Sequence, residues 1–170
     1  MNRLLRAALL AGLCVSPCLA QTGTVIFYSD AYNAKNTAAG LLPRSQQPFF
    51  GWLFDGPQPL AHVRPGRFLA FHLPAGDHSF TVPWTSKHPG KDTFVIHVEE
   101  GGQHCVRLYA KMTNYEVIPW QTMDSKIEEV PCLVAQQKAS RLKPIELKRV
   151  SPAVRSELDA ATTFPAQAAQ

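Results

Sequence analysis

The stretch RFLAFHLPAGDHSFTVP, residues 67–83, decides the fold class. Leu69, Phe71 and Leu73 fall on one side of an extended chain, His72 falls on the other, and Phe80 and Val82 resume the pattern after the turn. A period of two is the mark of a half-buried strand and does not fit the 3.6-residue face of a helix. Pro74-Ala75-Gly76-Asp77 between the two runs is turn chemistry. With Leu73 opposite His78, Phe71 faces Phe80 and Leu69 faces Val82. The spacing therefore predicts a hairpin whose core stripe is Leu69, Phe71, Leu73, Phe80 and Val82.

The same texture extends in both directions. Upstream, TVIFY at Thr24–Tyr28 is dense in β-branched and aromatic residues, and FFGWLF at Phe49–Phe54 runs into an Asp55-Gly56 turn and returns through Leu60–Arg64. Downstream, Phe94, Ile96 and Val98 alternate with Val95, His97 and Glu99, Glu100-Gly101-Gly102 turns the chain, and Cys105–Ala110 returns. Tyr115–Trp120 and Ile127–Val134 complete about eight strands. No helix-length amphipathic segment separates them, so the expected class is all-β, an antiparallel two-sheet sandwich over residues 21–134. Ser29–Gln47, Trp84–Asp92 and Met112–Asp124 are its polar loops. Residues 135–158 read as a short helical appendage. Ala135–Leu142 forms one helix stopped by Pro144, and Ser151-Pro152 opens a second that runs to about Leu158. Residues 159–170 read as a disordered tail.

The N-terminus carries an address. MNRLLRAALLAGLCVSPCLA places Arg3 and Arg6 before an apolar run from Ala7 to Val15, then a Ser16-Pro17 break and small residues at the end. About nine apolar residues fall far short of the roughly 20 that span a bilayer, so residues 1–20 read as a signal peptide cut between Ala20 and Gln21. The mature product is expected in the periplasm or outside the cell. A lipid-anchored N-terminus is the alternative, although Leu13 before Cys14 and Pro17 before Cys18 fit that signal poorly. Removing the leader leaves Cys105 and Cys132, which an oxidising compartment would join in one disulfide; two separate buried thiols are the other reading.

Charge narrows the partners. The formal net charge is +4, yet residues 21–134 carry 9 basic and 10 acidic side chains, so the sandwich is nearly neutral and no nucleic-acid partner is expected. The surplus sits in the tail, where Lys138, Arg141, Lys143, Lys148, Arg149 and Arg155 form either a weak contact for anionic membrane or an acidic partner, or a solvated face.

Catalytic patterns are sparse. The six histidines (His62, His72, His78, His88, His97 and His104) show no HExxH, and no GxSxG or glycine-rich phosphate loop occurs. His97 and His104 straddle one turn and are the weak candidates for a metal site; no cofactor is implied. His104 and Cys105 point to opposite faces of one strand and cannot act together. His78 is placed at the rim of its strand, donating a hydrogen bond across the turn. The aromatics carry the better case for binding. Phe50, Trp52 and Phe54 share one face of their strand and Phe49 and Leu53 the other, which fits a strand covered on both sides or an outward stacking platform. Trp84 and Trp120, each beside a proline in or next to a loop, are the remaining ligand-contact candidates.

Several segments together are similar to a family of small bacterial exported or lipoprotein domains of unknown function that resemble the PEGA and transthyretin-like β-sandwiches. They are TVIFY at Thr24–Tyr28, the Asp55-Gly56 turn, Arg64-Pro65-Gly66-Arg67-Phe68, LPAGDHSFTV at Leu73–Val82 and EEGGQHCVRLY at Glu99–Tyr109. The resemblance implies a sandwich held in the cell envelope and supplies no catalytic residues. The expectation is thus a non-catalytic binding or interaction module, its partner an envelope protein or a cell-surface glycan. A carbohydrate-binding module using Trp52, Trp84 and Trp120 and a small hydrolase or metal protein are the alternatives.

Overall fold

The computed structural model describes residues 21–31, 47–83, 86–112, 123–139 and 141–159. The signal segment, Trp84, Trp120, the expected strand Tyr115–Trp120 and residues 160–170 of the expected tail lie outside them. The strands are β1 (Thr22–Ser29), β2 (Gln47–Pro48), β3 (Gly51–Asp55), β4 (Gln58–Val63), β5 (Arg67–Pro74), β6 (Gly76–Thr81), β7 (Phe94–Val98), β8 (Gln103–Met112) and β9 (Met123–Val130). They are followed by helix α1 (Cys132–Ala139) and the short strands β10 (Lys143–Pro144) and β11 (Leu158–Asp159). The chain is all-β in character, with two sheets: one is built on β5, β1 and β8, and the other runs β4-β3-β6-β7.

The core stripe forms, but not as a hairpin. Leu69, Phe71, Leu73, Phe80 and Val82 all lie in the main buried cluster, yet β5 pairs with β1 while β6 pairs with β3 and β7. The chain changes sheet at Ala75-Gly76, where Gly76 takes a φ of +135° that a side chain rarely adopts. The stripe expected along one ladder is therefore divided between the two sheets, whose inner faces share one core. A period-two pattern fixes which side chains face inward and leaves open which strand lies alongside.

The sheets are not purely antiparallel. β1 runs parallel to β8, with Ile26 beside Cys105 and Phe27 beside Val106. Parallel neighbours need a long crossover, and here the connection from β1 to β8 contains all four strands of the second sheet together with β2 and β5 of the first. Two of the sheet-changing corners, β5 to β6 and β7 to β8, are tied to the start of β1, Ala75 N–H donating to Gln21 O and Gly101 N–H to Thr22 O.

β1 is buried on both faces. Val25 and Phe27 join the inter-sheet core, while Ile26 and Tyr28 join a second cluster with Phe68, Ala70, Cys105, Cys132, Ala135 and Leu142. Helix α1 supplies this second layer, and the Cys105–Cys132 disulfide, with Cα atoms 5.1 Å apart, fastens it to β8. The expected strand Ile127–Val134 ends at Val130, and the helix expected at Ala135–Leu142 begins at Cys132, where the Pro131 carbonyl accepts from the Val134 and Ala135 amides. Cys132-Leu133-Val134 is apolar enough to read as extended chain, but it follows Pro131, whose carbonyl accepts the first amides of the helix.

Residues 143–158 do not continue the expected helical appendage. β10 and β11 add to β5, Val150 bridges to Ala61 of β4, and Val150 and Val154 enter the core. The expected second helix is reduced to a 3₁₀ turn at Pro152–Val154, and Ser151 N–H donates to Leu60 O. The segment is a strap tied to both sheets. Its helical propensity yields to open strand edges that supply backbone partners. Asp159, assigned to the tail by sequence, lies in β11.

Candidate functional site

Alternation along β3 and β4 puts Phe49, Leu53, Ala61 and Val63 into the core and turns Phe50, Trp52, His62 and Arg64 outward. Strand β3 is therefore not covered equally on its two sides. Phe50 is 39% exposed and Trp52 is half-buried. Trp52 and His62 are direct cross-strand partners, with ring centroids 5.2 Å apart at 77°. The Phe50 ring stands 4.9 Å from His62 at 89°, and the Arg64 guanidinium lies 5.8 Å over Phe50, within cation–π range. Phe54, expected beside them, is only 2% exposed. Its partner Thr81 is covered by residues near Gly90, whose N–H donates to the Thr81 hydroxyl.

Gly51, between Phe50 and Trp52, has no room for a side chain. An added Cβ would meet the Phe49 ring at 2.7 Å and the Pro83 carbonyl oxygen at 2.9 Å. Close approach at this glycine brings Pro83 against β3. Pro83 in turn lines an open cleft of about 360 Å³ walled by Val82-Pro83, Gly90-Lys91-Asp92 and Asp124-Ser125. These walls belong to the loops Trp84–Asp92 and Met112–Asp124 or to their immediate flanks. The Ser125 hydroxyl oxygen is buried without a hydrogen-bond partner among the described residues. The ring cluster and the cleft are joined through Trp52, Phe54 (centroids 6.3 Å apart), Thr81 and Gly90. Sequence reading named both loops but not that Gly90–Asp92 and Asp124 share a cleft, because that depends on which sheet each strand enters.

The histidines are committed individually. His97 donates Nδ1–H to Asp77 (2.7 Å) and His104 donates Nδ1–H to Glu129 (2.7 Å). They occupy different sheets, so the turn between them does not bring them to a shared ion. Among the described residues no group of three or more His, Cys, Asp or Glu could hold a metal. Each carboxylate partner comes from a neighbouring strand, and only the register reveals the pairs.

His78 does sit at the rim. It donates Nδ1–H to Asp55 (2.6 Å) and Nε2–H to the Pro74 carbonyl (2.9 Å), an arrangement that satisfies both ring nitrogens only when the ring is protonated. Burial opposes the charge, but the hydrogen bonds to Asp55 and Pro74 and the charges of Asp55 and Asp77 outweigh it and hold the pKa above 6.5. A raised folded pKa gives stability that is full below pH 6.5 and is lost as pH rises through the folded value. Histidine carbon shifts followed by NMR should give His78 a midpoint above 6.5, and Asp55→Asn should bring it down; an unchanged midpoint would contradict the pairing. His62 behaves oppositely. Burial first, then Arg149 and Arg64, lower its pKa, and Arg149 Nη1–H donates to Nδ1 of the neutral ring (3.4 Å).

The basic tail is partly neutralised. Lys138 pairs with Asp30 (3.4 Å), and Lys148 and Arg149 reach Glu146 (2.9 and 3.7 Å). No helix among the described residues is long and apolar enough to cross a membrane. No family model, curated protein or solved structure matches the chain.

Proposed function

We propose that the protein is an exported, non-catalytic binding module of the bacterial cell envelope, a transthyretin- or PEGA-like sandwich whose ligand site is the cleft lined by residues 82–83, 90–92 and 124–125. One observation carries the reading. Gly90, Lys91 and Asp92 of one loop singled out by sequence and Asp124 at the end of another line a single cleft that brings one cation and two carboxylates together. Binding sites are commonly loops held on a rigid scaffold, with a few convergent polar groups. Asp92 and Asp124 can accept hydrogen bonds and Lys91 can donate them. Export is supported by the leader-like pattern of residues 1–20 and by the Cys105–Cys132 bridge, which fits an oxidising compartment.

The test immobilises the mature chain and measures retention of solubilised envelope glycans and proteins by the native form and by Asp92→Ala/Asp124→Ala. Retention by the native chain of an envelope component whose binding falls at least tenfold in the variant is the expected result. Equal retention by both forms would remove the cleft. Turnover of chromogenic ester, phosphate or glycoside substrates would contradict the non-catalytic reading.

A further inference from the structure

The outer face of the β3–β4 hairpin has a chemistry different from that of the cleft. Phe50 and Trp52 flank His62 edge-on, and Arg64 closes one side. Arg149 donates to His62 Nδ1, so the neutral ring carries its remaining hydrogen on Nε2, available as a donor. The neighbouring charges are unbalanced. Arg67, Lys148 and Arg149 share the single carboxylate of Glu146, at 3.5, 2.9 and 3.7 Å, and Arg64 makes no ion pair among the described residues. The face therefore combines aromatic surface, one imidazole donor and surplus guanidinium charge.

We infer that this face binds an acidic saccharide, a pyranose ring carrying a carboxylate. The sugar's C–H face packs on Phe50 and Trp52, His62 Nε2–H donates to a ring substituent, and Arg64 holds the carboxylate. A guanidinium is a planar fork that matches a carboxylate with two parallel hydrogen bonds. The size of the patch favours a small ligand. A stable protein interface needs roughly 800 Å² on each partner, whereas an aromatic side chain offers about 150–250 Å² in all and these rings expose only part of theirs. The inference rests on the reading of the chain as a binding module but uses none of the cleft residues.

Isothermal titration of the mature chain with trigalacturonate, maltotriose and hexa-aspartate tests it. Trigalacturonate should bind, weaken as salt is added, and bind at least tenfold more tightly than maltotriose or hexa-aspartate. Arg64→Gln, a substitution at an exposed side chain, should weaken it at least tenfold with an unchanged melting temperature, and Phe50→Ala at least fivefold. Asp92→Ala/Asp124→Ala should leave it within twofold. Absence of trigalacturonate binding, equal binding of maltotriose, or equal binding of hexa-aspartate would overturn the proposal. Loss of binding in the cleft variant with none in Arg64→Gln would overturn this site while sparing the cleft.

Discussion

Replacing Phe27 by alanine is expected to lower the unfolding free energy by about 3–5 kcal/mol, the range for deleting a fully buried aromatic side chain. Phe27 is completely buried on β1, and its ring meets Phe80 of β6 edge-on, 4.9 Å between centroids at 70°. The two strands belong to different sheets, so the truncation opens a cavity in the inter-sheet core and removes an aromatic pair worth a further ~0.5–1.5 kcal/mol beyond its area. Chemical denaturation provides the measurement, with Phe50→Ala as the comparison. Phe50 is 39% exposed, and its loss should cost less than half as much. Similar costs for the two variants would mean that β1 and β6 do not face each other across a core.

Removing the disulfide should have an effect of the same order. Cys105 and Cys132 are 27 residues apart, and a closed loop of that length restricts the unfolded chain by about 3–4 kcal/mol in the chain-entropy treatment. Cys105→Ala/Cys132→Ala is therefore expected to lower the melting temperature by roughly 10 °C. In the folded state the change should be confined to the α1–β8 contact, since Cys105, Cys132 and Ala135 share the smaller cluster while the inter-sheet core contains neither cysteine. Faster amide exchange in α1 with little change in β7 would accompany the loss. Identical melting of the oxidised protein and the double variant would contradict this assignment.

What the sequence revealed and what it concealed have a common physical origin. Alternation dictated the facing of Leu69, Phe71, Leu73, Phe80, Ile96 and Val98, because the strand period is a local property of the backbone. Pairing is not local. The parallel β1–β8 contact and the separation of β5 from β6 depend on where the chain changes sheet, and Pro74–Asp77 reads equally as a hairpin turn or as a corner. The His78–Asp55, His97–Asp77 and His104–Glu129 pairs were hidden for the same reason, since their members lie 20 to 25 residues apart. Trp52 was legible as either core or platform. The ring cluster needed the register that sets Trp52 beside His62, and the charge of Arg149 arrives from the strap, about 90 residues further along the chain, from a stretch that had read only as the link between two short helices.

Both proposed surfaces depend on a frame whose central strands are covered on each face, and native-state amide hydrogen exchange reads that frame strand by strand. The slowest amides should fall in Val25–Tyr28, Phe68–Phe71 and Cys105–Leu108, with the β3–β4 hairpin opening earlier. Slowest exchange in β3, β4 and β7, with β1 unprotected, would contradict a sandwich built around β1.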